Sequence, residues 1–361
     1  MSAIIGDSST ASPSFDSPRL WYPKRVLFTP SALNTPTGQQ IHQRMVALNL
    51  PIEELSSNRI NIFKGLDERE IYRQAKTTLA VVTAPSSSLK LNPVPPSADW
   101  QFHIAQGCPA HCQYCYLAGS LTGAPLIRVY ANLPEILNNL SSYCQPNSDT
   151  SFEVSCYTDP LALEHLTGSL SECIRYFGTM PAANLRVVTK FDEISPLISL
   201  PHNGQTRIRV SINAAPVSRS FEAGTASVEA RLKALRKLAL PQSEGGGGYR
   251  VGVVIAPIML IDNWQLHYRR LFEQIEKALD FECDLTFELI THRFTAKSKE
   301  VILQWYPKTK LDLDEKGRSV KYNKFGGTKY VYLAEQMKMM KQFFTEEIAQ
   351  RFPSSQLLYW T

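Results

Sequence analysis

Residues 100–117 read WQFHIAQGCPAHCQYCYL. The first six, Trp100–Ala105, suit a short strand. Cys108, Cys112 and Cys115 follow with the spacing C-x3-C-x2-C, in a loop at the C-terminal edge of whatever sheet that strand joins. From here the chain keeps one rhythm, short β-branched runs each followed by a longer helical segment. The further runs are Phe152–Cys156, Leu185–Phe191, Ile208–Ile212, Val251–Ile258 and Leu285–Ile290. Between them lie helix patterns at Leu161–Phe177, Val228–Leu240 and Trp264–Leu279, with Gly178 where a C-terminal cap is expected. Six strand–helix units in succession predict an α/β fold with a parallel sheet and helical crossovers. Such a sheet opens as a doubly wound fold or curls toward a barrel, with its site at the strand C-termini. Periodicity does not choose between the two.

Outward from this core, Lys24–Phe28 reads as a strand, Thr37–Leu48 as an amphipathic helix, and Ala84–Asp99 as a polar connection. The run Gly245–Gly248 precedes a strand instead of following one, so it reads as a flexible linker and not as a phosphate cradle. Beyond Pro307, Arg318, Lys321, Lys324 and Lys329 interleave with Tyr322, Phe325 and Tyr330 around Gly326-Gly327, a basic hairpin pattern. Ala334–Phe352 then reads as a helix and Gln356–Trp360 as a closing strand. The expected organisation is a flexible tail over 1–18, an N-terminal α/β region over 19–95, the repeating core over 96–295, and a hairpin and helix over 296–361.

The 361 residues are 43% hydrophobic and 20% charged, enough for one large core or two modest ones. A formal net charge of +5 permits a polyanionic partner without demanding one. No run approaches the roughly 20 apolar residues that span a bilayer, and the Ser-rich start lacks the pattern of a secretory signal. A cytoplasmic protein without membrane association is expected. Seven cysteines in a chain this long do not make a disulfide scaffold. Three within eight residues point to a metal, whereas the scattered Cys144, Cys156, Cys173 and Cys283 suit core packing.

Thiolates suit zinc or iron–sulfur clusters. A closed structural zinc site takes four protein ligands, and His111, which could be offered as the fourth, adjoins Cys112 inside the loop and would point elsewhere. A [4Fe–4S] cubane held by three cysteines leaves one iron open, as a catalytic metal keeps a position for its substrate. The amine and carboxylate of an amino acid can chelate that iron. Spacing, strand position and the aromatic Tyr116 after Cys115 together favour the cluster.

Cys108 to Cys115 matches the radical S-adenosylmethionine (SAM) motif. CQYCYL at 112–117, with IRVY at 127–130, resembles the spore photoproduct lyase family. The likeness continues through FEVSC (152–156), Asp159, EHLT (164–167), VTKF (188–191), HNG (202–204), SINA (211–214), IAPI (255–258), FELI (287–290) and YPKTK (306–310), nearly the whole chain after Lys24. The resemblance implies a partial (β/α)6 barrel. It implies an enzyme that repairs the thymine dimer 5-thyminyl-5,6-dihydrothymine in DNA, with a [4Fe–4S] cluster on Cys108, Cys112 and Cys115, SAM as radical source, and an electron donor such as flavodoxin or ferredoxin. Cys156 matches the family's hydrogen-donating cysteine, and Tyr114 and Tyr116 match its tyrosine relay. Lys190 and Ser211 match positions that hold SAM, and Ala256 one that meets it through the backbone. Thr158 stands where the family usually has serine, so a hydroxyl is kept.

Arg318–Tyr330 corresponds to the family hairpin that enters the lesion site, with Lys321, Tyr322, Lys324 and Phe325 as expected DNA contacts. Lys324-Phe325 departs from the Arg-Tyr of the family tip, losing a bidentate fork and a hydroxyl. Cys156-Tyr157 replaces Cys-Thr, and Pro109-Ala110 replaces Met-Gly. These departures fall nearest the substrate and spare the radical machinery. Two other readings stay open here: a related enzyme acting on a different pyrimidine lesion or nucleic acid, and a nucleic-acid-binding module merely braced by a cluster. A brace has no need of Lys190, Ser211 or Cys156.

Overall fold

The six runs expected as strands pair side by side in the computed structural model, which describes residues 20–121, 123–145, 148–322 and 327–361. The tail over 1–18 and the hairpin residues Lys324 and Phe325 lie outside the described residues. Ala98–Phe102, Thr150–Val154, Ala183–Thr189, Thr206–Ser211, Arg250–Ile258 and Leu285–Thr291 stand in that order, each parallel to the next. Asn92–Val94 adds antiparallel at one edge and Gln356–Trp360 parallel at the other. The sheet therefore has eight strands and stays open.

Period-two alternation explains both of its faces. Along Ala183–Thr189, every second residue from Ala183 onward is buried. On the neighbouring strands Phe102 and Phe152 pack against Phe177 of the helix Ser169–Gly178, at ring separations of 6.0 and 5.6 Å. The opposite face is polar. Arg209 pairs with Glu153 two strands away on one side and, at 2.7 Å, with Glu288 two strands away on the other. Curling of the sheet brings such side chains on non-adjacent strands together, and these pairs line the inside of a half-barrel. Arg186 also reaches Glu288, and the Tyr359 hydroxyl donates to the same carboxylate at 2.7 Å. Each of these four charges thus has an opposite charge against it, as low-dielectric surroundings favour. Lys190, Ser211 and Ala256 lie above this floor, at the C-terminal ends of their strands.

Arg25–Phe28, Ile52–Glu54 and Thr78–Val82 build a second parallel sheet. Its next strand, Ile127–Tyr130, comes from beyond residue 95, and Ala105–Gln106 pairs antiparallel with that one. The N-terminal sheet and the half-barrel therefore share residues 98–130. The cysteine loop hangs between two segments of the N-terminal sheet.

Three local expectations change. The pattern Leu161–Phe177 is not one helix. Gly168, at φ +68°, breaks it, and the Glu164 carboxylate caps the second piece by accepting from the amides of Leu170 at 2.8 Å and Ser171 at 3.1 Å. Gly178 ends that helix without capping it: a Cβ there would lie 2.2 Å from the Pro201 carbonyl oxygen, so close packing is what calls for glycine. The glycine run is a folded turn and no flexible linker. The four amides of Gly245–Gly248 donate to the carbonyls of Gln242, Pro241, Lys237 and Leu240. No helix among the described residues is long and apolar enough to cross a membrane.

Candidate active site

Gly107 opens the cysteine loop at φ +76°, and a Cβ on it would sit 2.4 Å from the Leu126 carbonyl oxygen. Only glycine allows the chain to turn so near the neighbouring strand. His111–Cys112 then pairs antiparallel with Glu222–Ala223, and the Gln113 amide donates to the Phe221 carbonyl at 2.9 Å. On the other side the Lys76 ammonium, buried, donates to the carbonyls of Cys108 and Ala110. The loop carrying Cys108, Cys112 and Cys115 is thereby fixed from both flanks.

Burial pushes all three thiols upward, Cys108 to about 11 with Lys76 pulling it partly back. Such groups ionise against a metal's positive charge. Among the described residues Lys76 has no carboxylate partner; burial lowers its proton affinity, and the three cysteines oppose that. A buried cation so placed suits an anionic group held on those sulfurs. His111 is engaged elsewhere, its Nδ1 2.8 Å from the Tyr72 hydroxyl. Among the described residues no three His, Cys, Asp or Glu side chains converge as ligands of a single metal ion. Three thiols in one loop, a compensating cation and no fourth protein ligand fit a cluster with one open iron.

Cys156 follows a sharp corner. Ser155, a non-glycine residue at φ +56°, ends the Thr150–Val154 strand in the left-handed region, a conformation that costs free energy and clusters at functional sites. Its surroundings enforce it: the Ser155 amide donates to Phe102 O at 2.7 Å, and its hydroxyl accepts from the Ile104 amide at 3.0 Å. The corner turns the next residues toward the loop. The Gly107 amide donates to Tyr157 O at 2.9 Å, and the Thr158 hydroxyl donates to Gly107 O at 2.5 Å. Burial, helped by Glu153 below, pushes the Cys156 thiol up to about 12. Tyr116, 57% exposed, lies with its ring 6.3 Å from that of Tyr157.

Lys190 and Tyr114 meet directly. The ammonium donates to the Tyr114 hydroxyl at 3.0 Å, to Glu222 Oε1 at 2.7 Å and to the Ala256 carbonyl at 3.4 Å. Tyr114 in turn donates to Glu222. Asp159 steadies the segment by accepting from the Lys190 amide at 2.7 Å and the Thr189 hydroxyl at 2.9 Å. Burial drives Asp159 up to about 6, with those donors opposing. Burial alone would also raise Glu222, but Lys190 and Arg231 outweigh it and hold the carboxyl at about 2. Ser211 is buried at the end of its strand, where its carbonyl accepts from Arg231 at 2.9 Å.

The hairpin pairs Ser319–Tyr322 with Thr328–Val331. Lys321 is exposed and Tyr322 is 78% exposed. Arg318, read from sequence as part of the basic stripe, is instead buried: it pairs with Asp312 at 2.8 Å and lies 3.9 Å over the Tyr332 ring. Tyr330 stacks on Phe294 at 5.2 Å. Only part of the stripe therefore faces outward. Lys76, Glu222 and Arg231 were missed from sequence. Each is a single charged residue with no local pattern, placed beside the loop by tertiary contacts alone.

Comparison with known proteins agrees with this geometry. The family model described as spore photoproduct lyase matches residues 21–361. A spore photoproduct lyase of a Geobacillus species is 41% identical over 94% of this chain and 98% of its own length. That of Bacillus subtilis is 38% identical over the same shares. Among solved structures, a mutant spore photoproduct lyase with bound AdoMet and dinucleoside spore photoproduct superposes with a TM-score of 0.89 at 38% identity, covering 95% of this chain and all of that one. Another, complexed with dinucleoside spore photoproduct, gives a TM-score of 0.88.

Proposed function

The chain belongs to the spore photoproduct lyase family, and from that premise we infer that it is a radical SAM lyase that reverts the spore photoproduct in DNA to two thymines. Cys108, Cys112 and Cys115 would hold the [4Fe–4S] cluster, and Lys190, Ser211, Thr158 and Ala256 would surround SAM. When both are bound, they supply a 5′-deoxyadenosyl radical that takes a hydrogen atom from C6 of the lesion. The rest falls to this chain's side chains.

Once the bond between the thymines has broken, a thymine radical remains that needs one hydrogen atom. Cys156 gives it from its S–H bond and is left as a thiyl radical. Tyr114 and Tyr116 would restore the thiol by passing a hydrogen atom from phenol to sulfur, and the tyrosyl radical so formed would recover its own from 5′-deoxyadenosine, leaving the 5′-deoxyadenosyl radical. Cys156 is the observation that carries this reading. A thiolate has no hydrogen atom to give, and burial keeps Cys156 as the thiol. It stands one residue past a strained corner whose following residues bond to the start of the cysteine loop. The fixed surroundings also limit stray hydrogen donors.

The exposed Lys321 and Tyr322, with Lys324 and Phe325 next in sequence, are proposed to meet the DNA, the lysines at phosphates and the aromatics in the gap left by displaced bases. A carrier such as flavodoxin or ferredoxin would provide the electron. Seven unpaired cysteines suit a reducing, cytoplasmic setting. The test is anaerobic turnover of a dinucleoside spore photoproduct by reduced, cluster-loaded protein. Thymine is the expected product, and Cys156→Ala should yield adducts of the trapped radical with less thymine. Clean thymine from a folded, cluster-replete Cys156→Ala protein would remove the donor role. SAM cleavage by the unaltered protein without lesion turnover would point to a different lesion.

A further inference from the structure

We propose that Glu222 is the positioning residue that sets Lys190 and Tyr114 for SAM, a role that rests on the placing of the cofactor at Lys190 given above. Its side chain is fully buried; Oε1 accepts two hydrogen bonds, and Oε2 accepts none among the described residues but has a cation against it. Oε1 takes the Lys190 ammonium at 2.7 Å and the Tyr114 hydroxyl, while Oε2 faces Arg231 at 2.7 Å. Arg231 cannot drift, because it also donates to Ala226 O at 2.9 Å, Ser211 O at 2.9 Å and Thr225 Oγ1 at 2.6 Å. The backbone of Glu222 is zipped to Cys112. One carboxylate thus joins the relay tyrosine, the cofactor lysine, the end of the Ser211 strand and the cluster loop.

Charge and bond lengths give this junction a direction. Lys190, Glu222 and Arg231 together carry one net positive charge, which suits an incoming carboxylate. An ammonium has three hydrogens to donate. Two of those of Lys190 are spent on short bonds to Glu222 and Tyr114, and the third goes to Ala256 O at 3.4 Å, the longest of the set. That weak bond is the one a methionine carboxylate can replace at little cost. Without Glu222 the flexible lysine stem would swing away and Tyr114 would lose the acceptor that orients its hydroxyl.

Equilibrium dialysis of SAM against anaerobic, cluster-loaded protein tests the role, with iron content as the check on folding. Glu222→Gln should weaken binding at least about tenfold, as expected for loss of a charged hydrogen-bond partner, and should raise KM for SAM more than it lowers kcat. Lys190→Met should lose as much. Because Glu222 acts through Lys190, the double variant should bind no more weakly than Lys190→Met alone. Wild-type affinity in Glu222→Gln, or additive losses in the double variant, would overturn the proposal. Should Glu222→Gln fail to fold, Glu222→Asp keeps the charge and withdraws it by one methylene. A several-fold loss of affinity is expected there, and unchanged affinity would overturn the role. SAM consumed per thymine formed should also rise in Glu222→Asp, and an unchanged ratio would refute the hold on Tyr114. An unaltered protein that binds no SAM would instead defeat the functional reading beneath the proposal.

Discussion

Raising the pH should leave the Cys156 thiol, the proposed hydrogen donor, untouched long after an ordinary cysteine has ionised. Burial, with Glu153 adding to it, sets Cys156 near 12, against 9.0 for an unperturbed thiol. At pH 8 about one ordinary thiol in ten is a thiolate, but for Cys156 the fraction is about one in ten thousand. Alkylation proceeds through the thiolate, so iodoacetamide should label Cys156 about a thousandfold more slowly than an accessible, unshifted cysteine. The labelling rate should keep climbing about tenfold per pH unit through pH 10 and beyond. The sign for catalysis is opposite to that for labelling: the donor form persists as pH rises, so the share of trapped by-product in lesion turnover should stay flat from pH 7 to pH 10. Peptide mass spectrometry after timed labelling gives the first quantity, and anaerobic product analysis gives the second. A labelling rate that levels off near pH 9, or by-products that grow with a midpoint there, would refute the argument that burial protects the S–H bond.

Lys76→Met removes a side chain that joins the Cys108 and Ala110 carbonyls. Bonds from a charged donor contribute about 1.5–3 kcal/mol, so iron loss to a chelator should quicken at least about tenfold, and unchanged retention would argue against the clamp. Tyr114→Phe and Tyr116→Phe should still release thymine while consuming more SAM per repair, and an unchanged ratio would remove them from the relay. Lys324→Ala should weaken lesion-DNA binding and flatten its salt dependence by roughly one counterion. Phe325→Ala should impair turnover of duplex more than of a free dinucleotide, since only the duplex must be opened; equal losses on both would count against a wedge.

Where chemistry is local, the sequence was readable. The C-x3-C-x2-C spacing put three thiols in one loop, and each apolar run became a strand whose ends lie within three residues of those expected. The run Phe152–Cys156 was carried two residues past the end of its strand because nothing in its composition reveals that Ser155 adopts φ +56°, a turn held by Phe102 and Ile104 at the end of the neighbouring strand. Glu222 and Lys76 were unreadable for a related reason. Glu222 meets Tyr114 across 108 residues and Lys76 meets Ala110 across 34, so no window of sequence holds both partners. The inward placing of Lys190 and Ser211 followed from strand alternation once the strands were known. Their proposed role as cofactor residues came from resemblance.

Because residues 105–106 and 127–130 are stitched into the N-terminal sheet, the cysteine loop between them acts as a staple through both lobes. A fragment cut at residue 95 would keep all three cysteines yet lose Lys76 and the Thr78–Val82 strand that covers Ile127–Tyr130. Ile127 and Val129, at 0% and 1% exposure in the intact chain, would then line a raw sheet edge, an invitation to aggregate. A minimal lyase cannot be made by trimming the first lobe. The same staple orders events during synthesis. Glu222, the partner of both Tyr114 and the Cys112 backbone, leaves the ribosome 108 residues after Tyr114, so the loop gains its second flank only after the Thr206–Ser211 strand has been made.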